Sequence, residues 1–117
     1  MAKYERSFRG QFDDLVNQLH QDITRGSASA TYEDGSDIRI DQIRMAVRVY
    51  ERYSMAGGNR VSLNITVLGN QDQLFVSAIT SGGSQALFFK INTLGESAFL
   101  EQCAQSVERY IERSAYA

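Results

Sequence analysis

The segment 43–53 alternates arginine or tyrosine with apolar residues, which makes it the stretch of this chain best suited to binding a partner. Side chains at alternate positions of a strand share one face of the sheet. The sequence therefore predicts a dry face of Ile43, Met45, Val47 and Val49, and an open, wet face of Arg44, Arg48, Tyr50 and Arg52. Asn64, on the next predicted strand, extends this arginine face.

The arginine face has three interpretations. Guanidinium groups grip phosphates and a tyrosine ring stacks on a base, so the face is compatible with nucleic acid. Arginine and tyrosine are also favoured at protein interfaces, so it is equally compatible with a homodimer or another protein partner. The third interpretation is a plain solvated face. Because a basic stripe alone is a weak criterion for nucleic acid, the solvated face and the protein interface are favoured.

A glycine-serine turn between two apolar runs is the second candidate site. It contains Ser81, Gly82, Gly83 and Ser84, and Lys90 follows in the next apolar run. Backbone N–H groups of such a turn can surround an anion, with the lysine as counter-charge. The spacings of a P-loop and of a dinucleotide-binding fingerprint are absent. The sequence thus leaves open a structural turn or the mouth of a pocket for a small anionic ligand.

The remaining chemical groups form no recognisable catalytic constellation. Cys103 falls on the apolar stripe of a predicted helix, where free cysteine is usually a small buried hydrophobe. His20 is the single histidine, which favours neither a metal site nor an acid–base pair. Asp34, Asp37 and Asp41 lack the calcium-loop pattern and are predicted to form turns. We therefore expect a non-enzymatic protein with no cofactor and no metal.

Length and composition limit the class of protein. A chain of 117 residues with 43% hydrophobic residues is predicted to form one domain, 1–117, around one core. Its net charge of −2 gives no general attraction to nucleic acid or membranes. Residues 39–60 are locally basic, since five arginines oppose two acids, a net of +3. The first residues lack the apolar run of a signal peptide, so we expect a cytoplasmic protein without membrane contact.

Two segments have the apolar period of amphipathic helices. In residues 11–25 apolar side chains recur at positions 12, 15, 16, 19 and 23, and Gly26 follows as a stop signal. The second helix is predicted to begin near Thr93, where Thr93 and Glu96 have the spacing of a capping box. Its inner stripe comprises Phe99, Leu100, Cys103, Val107, Tyr110 and Ile111. Each helix has one apolar stripe and should pack on one flat layer.

Alternating hydrophobicity predicts strands at 3–9, 43–53, 60–69 and 73–81, with shorter extended pieces at 27–33, 38–40 and 86–91. Residues 34–37 are predicted to form a turn. Directly opposed residues share a face. With odd-numbered residues inward on both 43–53 and 60–69, opposed pairs should sum to an even number, which places Val49 opposite Ile65. The predicted fold is an α+β two-layer sandwich, in which an antiparallel sheet of about four to six strands carries two helices on one face.

The tetrads ERYS (51–54), GGNR (57–60), SGGS (81–84) and FKIN (89–92) are the clearest shared features of a resemblance that covers nearly the whole chain. Through them the chain resembles a family of small uncharacterised bacterial proteins, found mainly in Firmicutes and known only as a domain of unknown function. The resemblance implies a bacterial, cytoplasmic protein. Because that family has no assigned activity, it adds no catalytic residue.

These observations favour a binding or protein-interaction module, expected to be a homodimer or to bind another protein. The expected contact surface is the arginine face, with Arg44, Arg48, Tyr50, Arg52 and Asn64. The alternative is a small domain that binds an anionic ligand near the 81–85 turn and Lys90. Nucleic-acid binding through the arginine face is the third hypothesis, and an enzyme has the least support.

Overall fold

The structure is a computed structural model that describes residues 1–26, 30–53, 60–82 and 89–114, with side chains in the last range from Glu96 onward. Within these ranges, five strands and two helices follow one another along the chain. Their bounds are β1 Ala2–Arg9, α1 Phe12–Thr24, β2 Thr31–Ile40, β3 Ile43–Tyr53, β4 Arg60–Asn70, β5 Gln73–Gly82 and α2 Phe89–Arg113. The helix predicted at 11–25 is confirmed, as are the four longer strands.

The five strands form one antiparallel sheet in the order β1-β5-β4-β3-β2. Both helices pack on the same face, where α2 covers β1, β5 and β4, and α1 lies against α2 and β4. The predicted α+β two-layer sandwich is therefore confirmed. The opposite face, here called the open face, carries none of the described helices. β3 lies at the margin of the helical layer, and its neighbour β2 forms an exposed edge of the sheet.

The core lies between the helices and the sheet, with β4 and β5 at its centre and Ala46 and Tyr50 of β3 at its margin. Alternate residues of β4 and β5 point into it, as the sequence predicts for Val61, Leu63, Ile65 and Val67. The helices contribute Leu15, Leu19 and Ile23 from α1, and Phe99, Cys103, Val107 and Tyr110 from α2. Each large apolar side chain buried here contributes about 1.5–3 kcal/mol relative to solvent exposure. This burial fixes which face of the sheet the helices cover.

The predicted pairing of β3 with β4 is wrong by one residue. Val49 lies opposite Asn64, and Arg48 lies opposite Ile65, so opposed pairs sum to an odd number without a bulge. A shift of one residue moves every side chain of a strand to the other face. In the structure the even-numbered residues of β3 therefore face the helices, and the odd-numbered, branched residues face the open side.

Burial of Tyr50 and the margins of the helical layer explain this inversion. Tyr50 is 1% exposed, and its large ring removes more apolar surface from water than a valine would. The arginines flank it, where their long stems cover helix residues and their heads stay accessible. The guanidinium carbon of Arg44 lies 4.3 Å from the ring centroid of Phe12. Gly69 gives that ring room, since a Cβ there would come within 2.7 Å of Phe12 Cδ2.

The predicted turn at 34–37 is also wrong, because β2 runs unbroken from Thr31 to Ile40. A bulge at Glu33 shifts the register between Tyr32 and Asp34. A bulge inserts one extra residue without ending the strand, so a turn-like composition fits inside a ladder. The true turn is at residues 41–42, where Asp41 adopts a φ of 53°.

The final helix begins earlier than predicted. Phe89 is already helical, so the strand predicted at 86–91 is wrong over 89–91, while 86–88 lie outside the described residues. Thr93 lies inside α2 and is not its cap. Glu96 is 4% exposed and contacts the amino group of Met1 instead of closing a capping box. The inner stripe from Phe99 to Ile111 is confirmed, with Leu100 and Ile111 partly buried beside the core.

Candidate binding surfaces

A row of apolar side chains crosses the open face from β2 to β5. The cross-strand pairs Ile38–Met45, Met45–Leu68 and Leu68–Phe75 place four such residues side by side on four strands. Ile38 and Leu68 are 47% and 40% exposed. We call these four residues the apolar row. It is continued by further branched residues on the same face, namely Ile40, Ile43, Val47, Val49 and Ile79.

Charged side chains surround this apolar centre. On the outward positions of the described strands, charge occurs on the edge strand β1, at Asp34 on the edge strand β2 and at the end of the sheet near Glu51. There Arg60 forms ion pairs with Glu51 at 2.6 Å and with Glu33 at 3.6 Å. Between them the outward residues of β4 and β5 are apolar, amide or hydroxyl side chains. An apolar centre inside a polar rim is the usual composition of a protein interface.

The residues of the predicted arginine face are divided between the two sides of the sheet. Arg44, Arg48, Tyr50 and Arg52 lie on the helix side, and Asn64 lies exposed on the open face. Two of the arginines pair with carboxylates. Arg44 is bidentate to Asp13, with N–O distances of 2.8 and 3.0 Å, and Arg48 contacts Asp37 at 3.0 Å. The arginine beside Asp13 lowers the pKa of that carboxyl.

Tyr50 is buried against α1 and is not a surface stacking residue. Its hydroxyl lies 2.9 Å from Nδ1 of His20, and the two rings also contact Tyr32. Burial raises the pKa of Tyr50 to about 12. His20, on α1, thus satisfies the buried phenol of Tyr50.

Arg52 occupies the end of β3 beside α2. Its Nη1 donates to Oε1 of Gln102 at 3.1 Å, and its guanidinium carbon lies 4.6 Å from the ring centroid of Phe99. Burial lowers the pKa of Arg52. This side chain is therefore held by a ring and an amide, unlike its neighbours on β3.

The turn predicted to bind an anion is only partly described. Ser81 and Gly82 end β5, and the Ser81 hydroxyl lies 2.9 Å from that of Ser62. Gly83 and Ser84 lie outside the described residues, as does the side chain of Lys90, whose backbone belongs to α2. The anion hypothesis for this turn stays a prediction.

Cys103 is fully buried in the core, as its place on the apolar stripe predicts. Burial raises the pKa of its thiol to about 12, so little thiolate forms at neutral pH. We expect labelling of the native protein by a thiol-specific maleimide at pH 7 to be at least a hundredfold slower than labelling in denaturant. Mass spectrometry follows the labelling. Similar labelling rates in the native and the denatured protein would contradict the burial of Cys103.

Within the parts of the chain that the structure describes, no group of three or more His, Cys, Asp or Glu side chains could hold a metal ion. No helix in those ranges combines the length and the apolarity that crossing a bilayer requires.

Sequence reasoning misses the apolar row, because it places Ile38 in a short extended piece after a turn and Met45 on the dry face. One signal was available, since 43–53 has apolar residues on both faces, with Ala46 and Tyr50 among the arginines. A strand of that kind fits two registers, and its neighbours choose between them.

A comparison with family models matches residues 1–111 to a family of unknown function (DUF6054). The match covers nearly the whole chain, as the resemblance of the four tetrads implied. A search of curated proteins finds no match.

Proposed function

We propose a function from the geometry of the open face, because the chain belongs to the DUF6054 family and the function of that family is unknown. The protein is a non-enzymatic interaction module that associates with a second copy of itself through the open face of its sheet. The observation that carries this proposal is the apolar row of Ile38, Met45, Leu68 and Phe75 on a face that no described helix covers.

The charge pattern supports a second copy as the occupant. A two-fold interface brings the same patch of both subunits together, so any charge near the axis meets its own like charge. The row and its neighbours on β4 and β5 carry no charged side chain. Two such faces pack without burying an unpaired ion, and their rims bring both signs of charge to the periphery.

The size of the open face is also sufficient. Five strands spaced ~4.8 Å apart, each about ten residues long at ~3.3 Å per residue, form a rectangle of roughly 24 by 33 Å. That footprint of about 800 Å² per subunit matches a standard stable interface. Face-to-face sheets pack ~10 Å apart with interleaved side chains, and the branched residues of β3 suit that geometry.

Edge-to-edge pairing is disfavoured by comparison. The free edge strand β2 is exposed along almost its whole length and carries Glu33, Asp34 and Asp37 against one arginine, Arg39. Antiparallel pairing of two β2 strands about their middle would place acidic side chains of the two copies opposite one another, which is destabilising. The other edge, β1, carries charged residues along its length, a common protection against edge pairing.

Leu68→Asp tests the proposal. Leu68 is already 40% exposed, so the substitution changes the fold little while placing a carboxylate at the centre of the face. In a two-fold dimer each subunit would bury a new unpaired charge. We expect the dissociation constant to rise by roughly a hundredfold or more. Sedimentation velocity over a concentration series should show a dimer for the wild type and a monomer for the variant.

Asn17→Asp is the matched control, because it adds the same charge on the exposed side of α1, in the other layer. It should leave the dimer intact. A wild-type protein that stays monomeric at high micromolar concentration would refute the proposal, and so would an L68D variant that dimerises as well as the wild type. Thermal melting of both variants at low concentration checks that each is folded.

The cellular setting belongs to the same proposal. We place this module in the bacterial cytoplasm, in line with the resemblance. The non-enzymatic assignment is supported by the buried, protonated thiol of Cys103 and by the engagement of His20 with Tyr50.

A further inference from the structure

A groove opens on the helix side of the molecule, where β3 ends beside α1 and α2. Its volume is about 870 Å³, which is within the range of small-molecule sites. Three arginines contribute to its lining, Arg25 from the end of α1, Arg52 from β3 and Arg109 from α2. Arg109 is engaged by Asp22 at 3.1 Å. The lining also contains two carboxylates, Asp22 and Glu101, so its three arginines leave the groove with a formal charge of +1.

Arg52 is held rigidly at this groove. Its guanidinium lies on the ring of Phe99 and donates to Oε1 of Gln102. The amide nitrogen of Gln102 in turn donates to the backbone oxygen of Asp22, 3.1 Å away. This chain of contacts orients the amide so that its oxygen faces Arg52. A binding group whose conformation is fixed in advance loses little entropy when a ligand arrives.

Among the residues that the structure describes, no Asp or Glu side chain forms an ion pair with Arg52. All fourteen Asp and Glu side chains belong to the described ranges. The two other inward arginines of β3, Arg44 and Arg48, each have a carboxylate partner. A partly desolvated cation is costly unless an anion compensates it. Among the inward arginines of β3, Arg52 is thus the one that forms no ion pair with a described carboxylate.

We propose that this groove binds the carboxylate or phosphate group of a small molecule, with Arg52 as the principal ligand and Arg25 at the rim. A guanidinium has five N–H donors in a planar fork, of which Gln102 engages one. The remaining donors match two oxygens of a carboxylate or phosphate at once. The groove lies on the helix side of the sheet, so this inference goes beyond self-association through the open face and does not depend on it.

Inorganic phosphate and acetate are the probes, titrated separately by calorimetry at low ionic strength in a buffer without other oxyanions. We expect at least one of the two probes to bind. The probe that binds shows whether the groove prefers a phosphate or a carboxylate. Arg52→Met keeps an apolar stem over Phe99 and removes the charge, so it should weaken binding at least tenfold. Arg39→Met removes the same charge from exposed β2, far from the groove, and should bind like the wild type.

Three results would overturn the proposal. The first is an absence of binding by either probe at millimolar concentration. The second is equal weakening by R52M and R39M, which would indicate general charge attraction. The third result comes from the wild-type protein, so it can overturn the proposal even if the R52M variant fails to fold. Titration of the bound probe should move the NMR signals of the Arg52 Nε–H and the Gln102 side-chain amide, and shifts confined to other residues would exclude this groove.

Discussion

The protein is expected to lose a large part of its stability as the pH rises from 9 to 12, because its core holds neutral groups that ionise in this range only when the chain unfolds. Burial raises the pKa of the Cys103 thiol from 9.0 to about 12 and that of Tyr50 from 10.0 to about 12. Below about pH 8 the native and the unfolded chain hold both protons, so stability does not depend on these groups. Above it, the unfolded chain releases protons that the native chain keeps, and unfolding becomes more favourable.

The size of this effect is a large part of the total stability. At ~1.4 kcal/mol per pKa unit, the thiol contributes about 4 kcal/mol and the phenol about 3 kcal/mol, both fully lost near pH 12. Small domains are stable by only about 5–15 kcal/mol. Urea unfolding followed by circular dichroism at pH 8, 9, 10, 11 and 12 should show a falling midpoint.

Cys103→Ala separates the two groups. Between pH 9 and 10 the loss of stability comes mainly from the thiol, so the variant should show little slope there and keep the slope above pH 10 that Tyr50 causes. The comparison uses the slope of the unfolding midpoint against pH, because the loss of packing around residue 103 lowers the stability of the variant already at pH 8. A midpoint that stays constant up to pH 12 in the wild type would contradict the burial of both groups.

Phe99→Ala is expected to lower the free energy of unfolding by about 3–5 kcal/mol. The ring is 0% exposed on the inner stripe of α2, so its loss leaves a cavity between the helices and the sheet. The guanidinium of Arg52 also lies on this ring, and that contact contributes roughly another 0.5–1 kcal/mol. Urea unfolding at pH 7, with the free energy extrapolated to water, measures the change.

Phe99→Leu is the matched control, because it keeps most of the apolar volume and removes the aromatic face. It should cost less than half as much as the alanine substitution. If the alanine variant lay within 1 kcal/mol of the wild type, Phe99 would not be the central core residue that its burial indicates.

Some elements follow from local pattern alone. The period of α1 and the inner stripe of α2 place the same residues in the core that the structure buries there, because a helix with one apolar stripe has one way to face a layer. β4 is equally well determined, since its inward residues from Val61 to Val67 are branched or leucine and its outward residues are mostly polar. Two helices and alternating strands were enough for the α+β class.

Elsewhere local pattern admitted more than one answer. A run such as 34–37 has turn composition, yet hydrogen bonds to β3 and a bulge at Glu33 keep it extended. Residues 89–91 have strand composition, yet they continue α2. In each case the free energy comes from partners distant in sequence, which composition does not contain.

By itself, then, the sequence determined the fold class, the core stripes of both helices and the inward face of β4, because one apolar pattern per element leaves one way to bury it. Only the tertiary structure decided which side of β3 packs against the helices. Either the valines on one side or Tyr50 and two arginine stems on the other could be buried there. β3 lies at the margin of the helical layer, so Arg44 and Arg52 on its inward side reach Phe12 and Phe99, while its branched residues lie beside Leu68 and Phe75 on the open face. That choice moved the candidate interface from the arginines to the apolar row and left Arg52 at the groove.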